Sequence, residues 1–414
     1  MCINRIGHQG IKLHHLSAPE APPRLDFYAS DGQPDGRKQR DDRENRQFRE
    51  IAFMKIGAFL MPNHPPGRDF AEGHYHNLDS LEFFDQIGFE EAWIGCHYTV
   101  PREPNPAPDL LVAQALIRTK NIRVSPGGYM LPYHHPAELA HRIAWLDHIS
   151  QGRCYIGIGS GSIPTDWGLF DIDGFSGENR EMTEESLDIM IRLWQSDGEF
   201  EYDGKYWRGK RPPDDPEDLY KFHIKPFTKP YPQLAIAGFS ANSPTLELAG
   251  RNGYIPLSLS FGNSYLSGHW QAVEKGAREA GRQASRDNWR IGRDVYVADS
   301  DAEARRKVLN GEIGDQYRNF WLPVLKRIGM LDTCKHHPDV ADSDVTVEYM
   351  MDHNMCIGSP ATVERKIADI VESSGGFGQL LITNYDHLDD LEGWRESKKR
   401  LAREIMPNFS RLGA

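Results

Sequence analysis

The sequence predicts an α/β fold, a (β/α)8 TIM barrel that begins at Met54. Three observations predict it. From Met54 onward, short apolar runs alternate with helical patterns, the order that a parallel sheet with helical crossovers produces. The strand-like runs number eight, the count that closes such a barrel. The stretch PAELAHRIAWLDHISQGRCYIGIGSG, residues 136–161, shows one whole unit. Leu139, Ile143, Leu146 and Ile149 fall on one helical face. Gly152 is placed to close that helix in the left-handed conformation. CYIGIG is short and apolar, as a strand buried on both faces should be. Gly157, Gly159 and Gly161 leave room at its end for something flat or bulky.

The units follow in order. KIGAFLM leads to a helix over 77–87 that Gly88 ends. EEAWIGC leads through a proline-rich loop to DLLVAQALIRT. IRVSPGGYM leads to the helix from Pro136. CYIGIG leads through a glycine-rich loop to EMTEESLDIMIRLWQ. QLAIAG leads to a helix over 244–251, YIPLSLS to HWQAVEKGAREA, and WRIGRDVYVA to a helix opened by Asp301. GQLLITNY is the last strand. Residues 310–355 are poorly patterned and read as an insertion before it, within one barrel domain spanning 54–414.

Residues 1–53 differ. PEAPPR and SDGQPDGRKQRDDRENRQFRE are rich in proline, glycine and charge, which disfavours packing. They are expected to be a disordered extension or tail upstream of a natural start at Met54, and they contain no apolar core for a secretory signal. The net charge of −12 and the lack of clustered Lys and Arg argue against a nucleic-acid partner. No apolar run approaches the ~20 residues of a membrane span. Five scattered cysteines without a C-x-x-C pair suggest neither a zinc knuckle nor a disulfide framework. A reduced, cytoplasmic setting fits best.

In a barrel the working groups sit at the C-terminal ends of the strands. Those ends are Cys96, His97 and Tyr98; Gly127, Gly128 and Tyr129; Gly159, Ser160 and Gly161; Ser240, Ala241, Asn242 and Ser243; Ser258 and Ser260; Asn384 and Tyr385. The set holds one histidine and no carboxylate cluster, so it is a poor divalent-metal site and suits a planar cofactor with a phosphate tail. His134, His135, His336 and His337 lack spaced partners. GFSANSPTLELAGRNG places small polar residues before a helix start, where free N–H groups and the helix dipole favour an anion; a simple helix cap fits the same residues. GIGSGS lacks the G-x-G-x-x-G spacing of a dinucleotide turn. Tyr98, Tyr129, Trp167, Phe170 and Phe261 are expected on or near the mouth, as substrate-pocket or core aromatics.

The pattern LD-x-x-S-x-GR-x-x-x-G-x-G resembles the third helix and fourth strand of the bacterial luciferase-like flavin monooxygenases, and the likeness extends from Met54 to the last strand. WIGCHYT resembles the family's second-strand motif. His97 matches its first, catalytic histidine, while Cys96 replaces the family's glutamate and Tyr98 its second histidine. SPGGYMLPYHHP resembles the third strand, whose pair at Gly127–Gly128 is joined in luciferases by a non-proline cis peptide beside the flavin. GFSANSP matches the segment that holds the FMN phosphate, which implies Ser240, Asn242 and Ser243 with the Ala241 backbone. Ser160 stands where luciferases carry an arginine facing that phosphate. Around WIGCHYT and LPYHHP the chain is similar to terpene or alicyclic monooxygenases of the limonene-epoxidising type.

The resemblance implies reduced FMN as a co-substrate, O2, a flavin C4a-hydroperoxide, and transfer of one oxygen atom to a small apolar organic substrate. It also implies a separate NAD(P)H-dependent flavin reductase. A homodimer through the first helices is expected, with Phe83, Phe84, Leu111 and Leu116 as its apolar surplus. Three alternatives stay open: a deazaflavin-dependent dehydrogenase on the same barrel, a metal-dependent barrel hydrolase, and a non-catalytic flavin-binding protein.

Overall fold

The computed structural model describes residues 54–259 and 262–409. The expected extension over 1–53, and Ser260 and Phe261 of the expected mouth, lie outside the described residues.

The chain runs β1 (Lys55–Asn63), α1 (Phe70–Gln86), β2 (Glu91–Ile94), α2 (Pro108–Arg118), β3 (Arg123–Pro126), β4 (Tyr129–Met130), α3 (Pro136–Ser150), β5 (Ile156–Gly159), α4 (Pro164–Leu169) and α5 (Glu178–Gln195). A hairpin follows, β6 (Phe200–Asp203) and β7 (Arg208–Arg211). Then come β8 (Leu234–Gly238), α6 (Pro244–Asn252), β9 (Ile255–Leu259), α7 (Asn263–Glu279), β10 (Arg290–Arg293) and β11 (Val295–Val297). The last part holds α8 (Asp301–Asn310), α9 (Glu312–Gln316), α10 (Leu322–Arg327), α11 (Val347–His353), β12 (Cys356–Gly358), α12 (Pro360–Ser374), β13 (Gln379–Tyr385) and α13 (Leu391–Arg400).

Nine strand segments form one parallel sheet in the order β3-β2-β1-β13-β10-β9-β8-β5-β4. Its two edges, β3 and β4, are halves of one strand broken at Gly127–Gly128. The sheet therefore closes as an eight-stranded barrel, as the alternating pattern predicts. A Cβ on Gly157 would lie 2.7 Å from the Pro126 carbonyl oxygen, so the seam at that break closes backbone against backbone. The Gly127–Gly128 bond is not the cis peptide that the resemblance implied; among the described residues the cis bond is Lys229–Pro230.

Alternation along each strand builds two layers. Phe59, Trp93, Ala235, Leu257 and Leu381 fill the barrel interior. Ala58, Leu60, Ile94 and Ile158 face the helices in the larger core. Helix α1 starts seven residues before the predicted 77, because Asp69 accepts hydrogen bonds from Ala71 N (2.9 Å) and Glu72 N (3.0 Å) and caps it. Helix α3 ends through two left-handed residues, Gln151 (φ 52°) and Gly152 (φ 77°).

WRIGRDVYVA, predicted as one strand, divides at Asp294. β10 stays in the barrel, while β11 leaves it and pairs with β12. Asp294 is buried and accepts hydrogen bonds from the hydroxyls of Tyr317 (2.6 Å) and Tyr385. Between β11 and β12, helices α8–α11 pack a second core around Tyr296, Ile313, Tyr317 and Met350. Arg102, in the loop after β2, reaches α9 and donates to Asp315 Oδ2 (2.8 Å) and Gln316 Oε1 (3.1 Å).

The lower end of the barrel holds a buried ion pair. Arg290 Nε and Nη2 donate to the two oxygens of Glu91 at 3.0 and 3.1 Å, and Trp93 Nε1 adds a third bond at 2.8 Å.

Candidate active site

A cavity of about 650 Å³ occupies the C-terminal end of the barrel, a size typical of small-molecule sites. Strand ends supply its floor: Asn63, Gly95–His97, Gly127, Gly128, Gly159 and Ser160. The segment between β11 and β12 supplies an apolar wall that includes Phe320, Trp321, Val324, Leu325 and Ile328. One half of the rim is small and polar, with Ser240, Ser243 and Thr245. Among the described residues the lining holds one arginine or lysine, Arg180 in the first turn of α5.

His97 stands opposite that rim. Nε2 is 3.3 Å from Glu103 Oε2, and Nδ1 is 3.5 Å from Asp166 Oδ2. Burial pulls the imidazole's pKa down, but the two carboxylates outweigh it and hold the pKa above the ordinary value. Asp166 lies on α4, where its oxygens accept from Thr99 N (2.8 Å), Thr99 Oγ1 (2.5 Å) and Tyr98 N (3.4 Å). Burial raises its pKa, and the adjacent His97 imidazole together with the bonds from Thr99 and Tyr98 outweighs burial and holds it below the usual carboxylate range. Glu103 accepts one bond, from Asn63 Nδ2 at 3.2 Å. Its burial pushes the carboxyl up, against the pull of His97 and Asn63.

These two carboxylates correct the expectation of a mouth without an acidic group. They come from loops and a short helix, not from strand ends. Glu103 sits in a proline-rich loop that folds back over β2, where His97 N donates to Asn105 O (3.1 Å). A lone acid between Pro101 and Pro104 was the available signal. For Asp166 the signal was the Pro164-Thr-Asp opening of a helix.

Of the residues predicted from sequence, His97, Gly127, Gly128, Gly159, Ser160, Ser240, Ser243 and Trp167 line the cavity together. Four do not. Tyr129 is 1% exposed and packs in the helix-facing core, because alternation turns its neighbour Met130 to the cavity instead. Tyr98 lies outside the lining, edge-on to Tyr133 and Phe170. Ala241 and Asn242 are exposed and do not line the cavity. Arg180 and Thr245 went unrecognised in the sequence, one among many surface-type charges and the other one residue inside a helix.

The loop after β5 is held by Asn179, which donates to the carbonyls of Ser160 and Gly161, both at 3.1 Å. Ser243 caps α6 without a side-chain bond to its backbone. Its hydroxyl lies 2.8 Å from Thr245 Oγ1, which donates to Ala237 O (2.7 Å). An open apolar cavity with a small-polar, cationic rim fits a planar cofactor carrying a phosphate. The histidine between carboxylates can hold and release a proton. Among the described residues no cluster of three or more metal-type ligands occurs.

Residues 54–376 match the model of the luciferase-like monooxygenase family. The chain is 32% identical over 372 residues to 3,6-diketocamphane 1,6-monooxygenase of Pseudomonas putida, covering 86% of this chain and 98% of that protein. It is 29% identical over 366 residues to limonene 1,2-monooxygenase of Rhodococcus erythropolis, covering 87% and 88%. Among solved structures, the oxygenating constituent of P. putida 3,6-diketocamphane monooxygenase, described as a type II Baeyer-Villiger monooxygenase in complex with FMN, superposes with a TM-score of 0.81. That pair shares 33% identity and covers 86% of this chain and 98% of the other.

Proposed function

We propose that this chain, which belongs to the luciferase-like monooxygenase family, is the oxygenase of a two-component system that binds reduced FMN and inserts one atom of O2 into a small apolar substrate of terpene or alicyclic type. One observation carries the reading. A single apolar cavity joins a rim of Ser240, Ser243, Thr245 and Arg180 to a histidine between two carboxylates. Ser240, Ser243 and Thr245, with the Arg180 guanidinium, would hold the phosphate. Gly127, Gly128 and Gly159 let the ring lie against the backbone. When bound, the reduced flavin supplies two electrons to O2, so that one oxygen atom goes to the substrate and the other leaves as water. The apolar wall excludes water from that chemistry. His97 holds the proton that the oxygen requires. A separate NAD(P)H-dependent reductase supplies the reduced flavin.

The test mixes the protein with reduced FMN, ¹⁸O2 and a panel of cyclic alkenes and ketones. Products that carry one ¹⁸O atom are expected. Peroxide release with no oxygenated product across the panel, or turnover only with a reduced deazaflavin and no oxygen, would overturn the reading.

We also propose a homodimer, with different residues from those first expected. Phe83, Phe84, Leu111 and Leu116 are buried in the chain's own core. On α2, Leu110 (63% exposed) and Ile117 (87%), and on α3, Trp145 and Ile149, the latter expected from its spacing on the buried face with Leu146, face outward, and an exposed apolar patch of this kind favours association. A monomeric mass by light scattering at micromolar concentration would refute the dimer.

A further inference from the structure

We propose that Glu103 shares the His97 proton, so that imidazole and carboxyl act as one proton-holding pair on the cavity wall, while Asp166 remains a fixed anion that positions the ring. The proposal deepens the function above by adding a second acid–base residue to the site.

The two carboxylates flank one imidazole but differ in what holds them. Asp166 receives two backbone N–H bonds and a hydroxyl bond, from Thr99 and Tyr98. Hydrogen bonds to the charged form keep a carboxylate ionised. Glu103 receives one bond, from the Asn63 amide. Its other oxygen, Oε2, has no hydrogen-bond partner among the described residues and faces His97 Nε2 at 3.3 Å. The Glu103 side chain is 1% exposed. A buried carboxylate with so few donors favours its neutral form. Two acids whose environments differ this much divide the roles of anion and acid. The opposite pKa directions of Glu103 and Asp166 agree.

Three of the other titratable groups near the pair stay protonated at neutrality. Burial pushes the Cys96 thiol and the Tyr98 hydroxyl each up to about 12. Tyr385, packed from β13, is raised well above its usual value by burial. Arg102, beside Glu103, points away to Asp315 and Glu312. Glu312 is pushed up to about 7 by burial and by Asp315, and so serves as the control.

In the transfer, the Nε2–H bond of the imidazolium breaks and an Oε2–H bond forms. A cation and an anion become two neutral groups, and no electrons move between residues. The shared proton can therefore rest on either group with the pair neutral overall, and only its delivery to the cavity leaves the pair one unit negative.

The experiment follows the His97 ring by NMR across pH, in flavin-free protein with labelled histidine, for the parent, Glu103→Gln and Glu312→Gln. The parent and Glu312→Gln should titrate alike, in two coupled steps. Glu103→Gln should titrate in one step, at lower pH. With FMN and substrate present, Glu103→Gln should shift the basic limb of the kcat profile to lower pH and leave KM within threefold. Glu103→Asp, which keeps the carboxyl but draws it back from Nε2, should weaken the coupling and gives the same test if Glu103→Gln does not fold. An unchanged His97 titration in both Glu103 variants overturns the proposal. Because this titration is read without flavin, its failure is distinct from a failure to bind FMN.

Discussion

Two buried acid–base clusters stand at opposite ends of the same barrel. At the lower end Glu91 and Arg290 meet fork to fork, with both carboxylate oxygens used. The remaining Arg290 nitrogen donates to Asn288 O at 2.8 Å. At the upper end His97 sits 3.3 and 3.5 Å from its carboxylates. Among the described residues, His97 Nδ1 and Glu103 Oε2 make no hydrogen bond. The residue classes and the burial are similar, so neither marks function. Saturation does: a pair with every donor and acceptor used can only hold the fold together, whereas a loosely met group can still exchange a proton.

Breaking each end separately should separate catalysis from stability. The largest effect is expected for His97→Ala. Product formation should fall by about 100- to 10,000-fold, with more hydrogen peroxide per reduced flavin consumed and an intact fold. Coupled turnover within a few-fold of the parent would make this histidine as structural as the lower pair. Arg290→Met should do the reverse. It leaves Glu91 buried without its partner and should cost about 3–5 kcal/mol of stability, read from urea unfolding, while activity per folded molecule is unchanged. Adding Glu91→Leu should recover most of that loss, because replacing both ions removes the desolvated charge.

The rim gives a smaller effect. Ser243→Asp sets a carboxylate where the phosphate is proposed to bind and should weaken FMN binding by at least about tenfold, or ~1.4 kcal/mol. Riboflavin, which lacks the phosphate, should bind as before. Equal losses for both ligands would move the phosphate elsewhere.

The smallest effect is on stability against pH. The folded pKa of His97 is raised, and an unfolded histidine titrates near about 6.5. Its contribution is therefore complete below that pH and is lost as pH rises through the folded value. Glu103, also raised, loses its contribution in the same direction, starting from about 4.3. Asp166, lowered, contributes above about 3.9 and loses that on acidification. Urea midpoints at pH 5.5 and 8.5 should thus fall with pH in the parent and fall less in Asp166→Asn. An equal fall in both would show that Asp166 does not hold the His97 charge.

The barrel was legible because its signals are local. Leu139, Ile143 and Leu146 mark a helix by spacing alone, and each strand is an unbroken apolar run. The strand-end residues followed by topology: once eight strands alternate with helices, His97 and Ser243 must lie at one end. Tyr129 shows where this stops. A two-residue strand segment reverses which neighbour faces the cavity, and no periodicity can be read over two residues. Asp294 shows the same limit at larger scale. It bends an apolar run out of the barrel because two tyrosines, one 23 and the other 91 residues away, meet its carboxylate.

By itself the sequence determined the class of fold, the order of its units and the end at which chemistry must sit, since backbone periodicity and chain direction are carried by neighbouring residues. Only the tertiary structure decided that Glu103, from a loop, and Asp166, from the short helix α4 63 residues further on, close on His97, and that Arg180 turns to the cavity. It also decided which apolar residues of α2 and α3 face the core and which face outward. Each of these depends on where long loops come to rest, and that position is set by contacts between residues far apart in the chain.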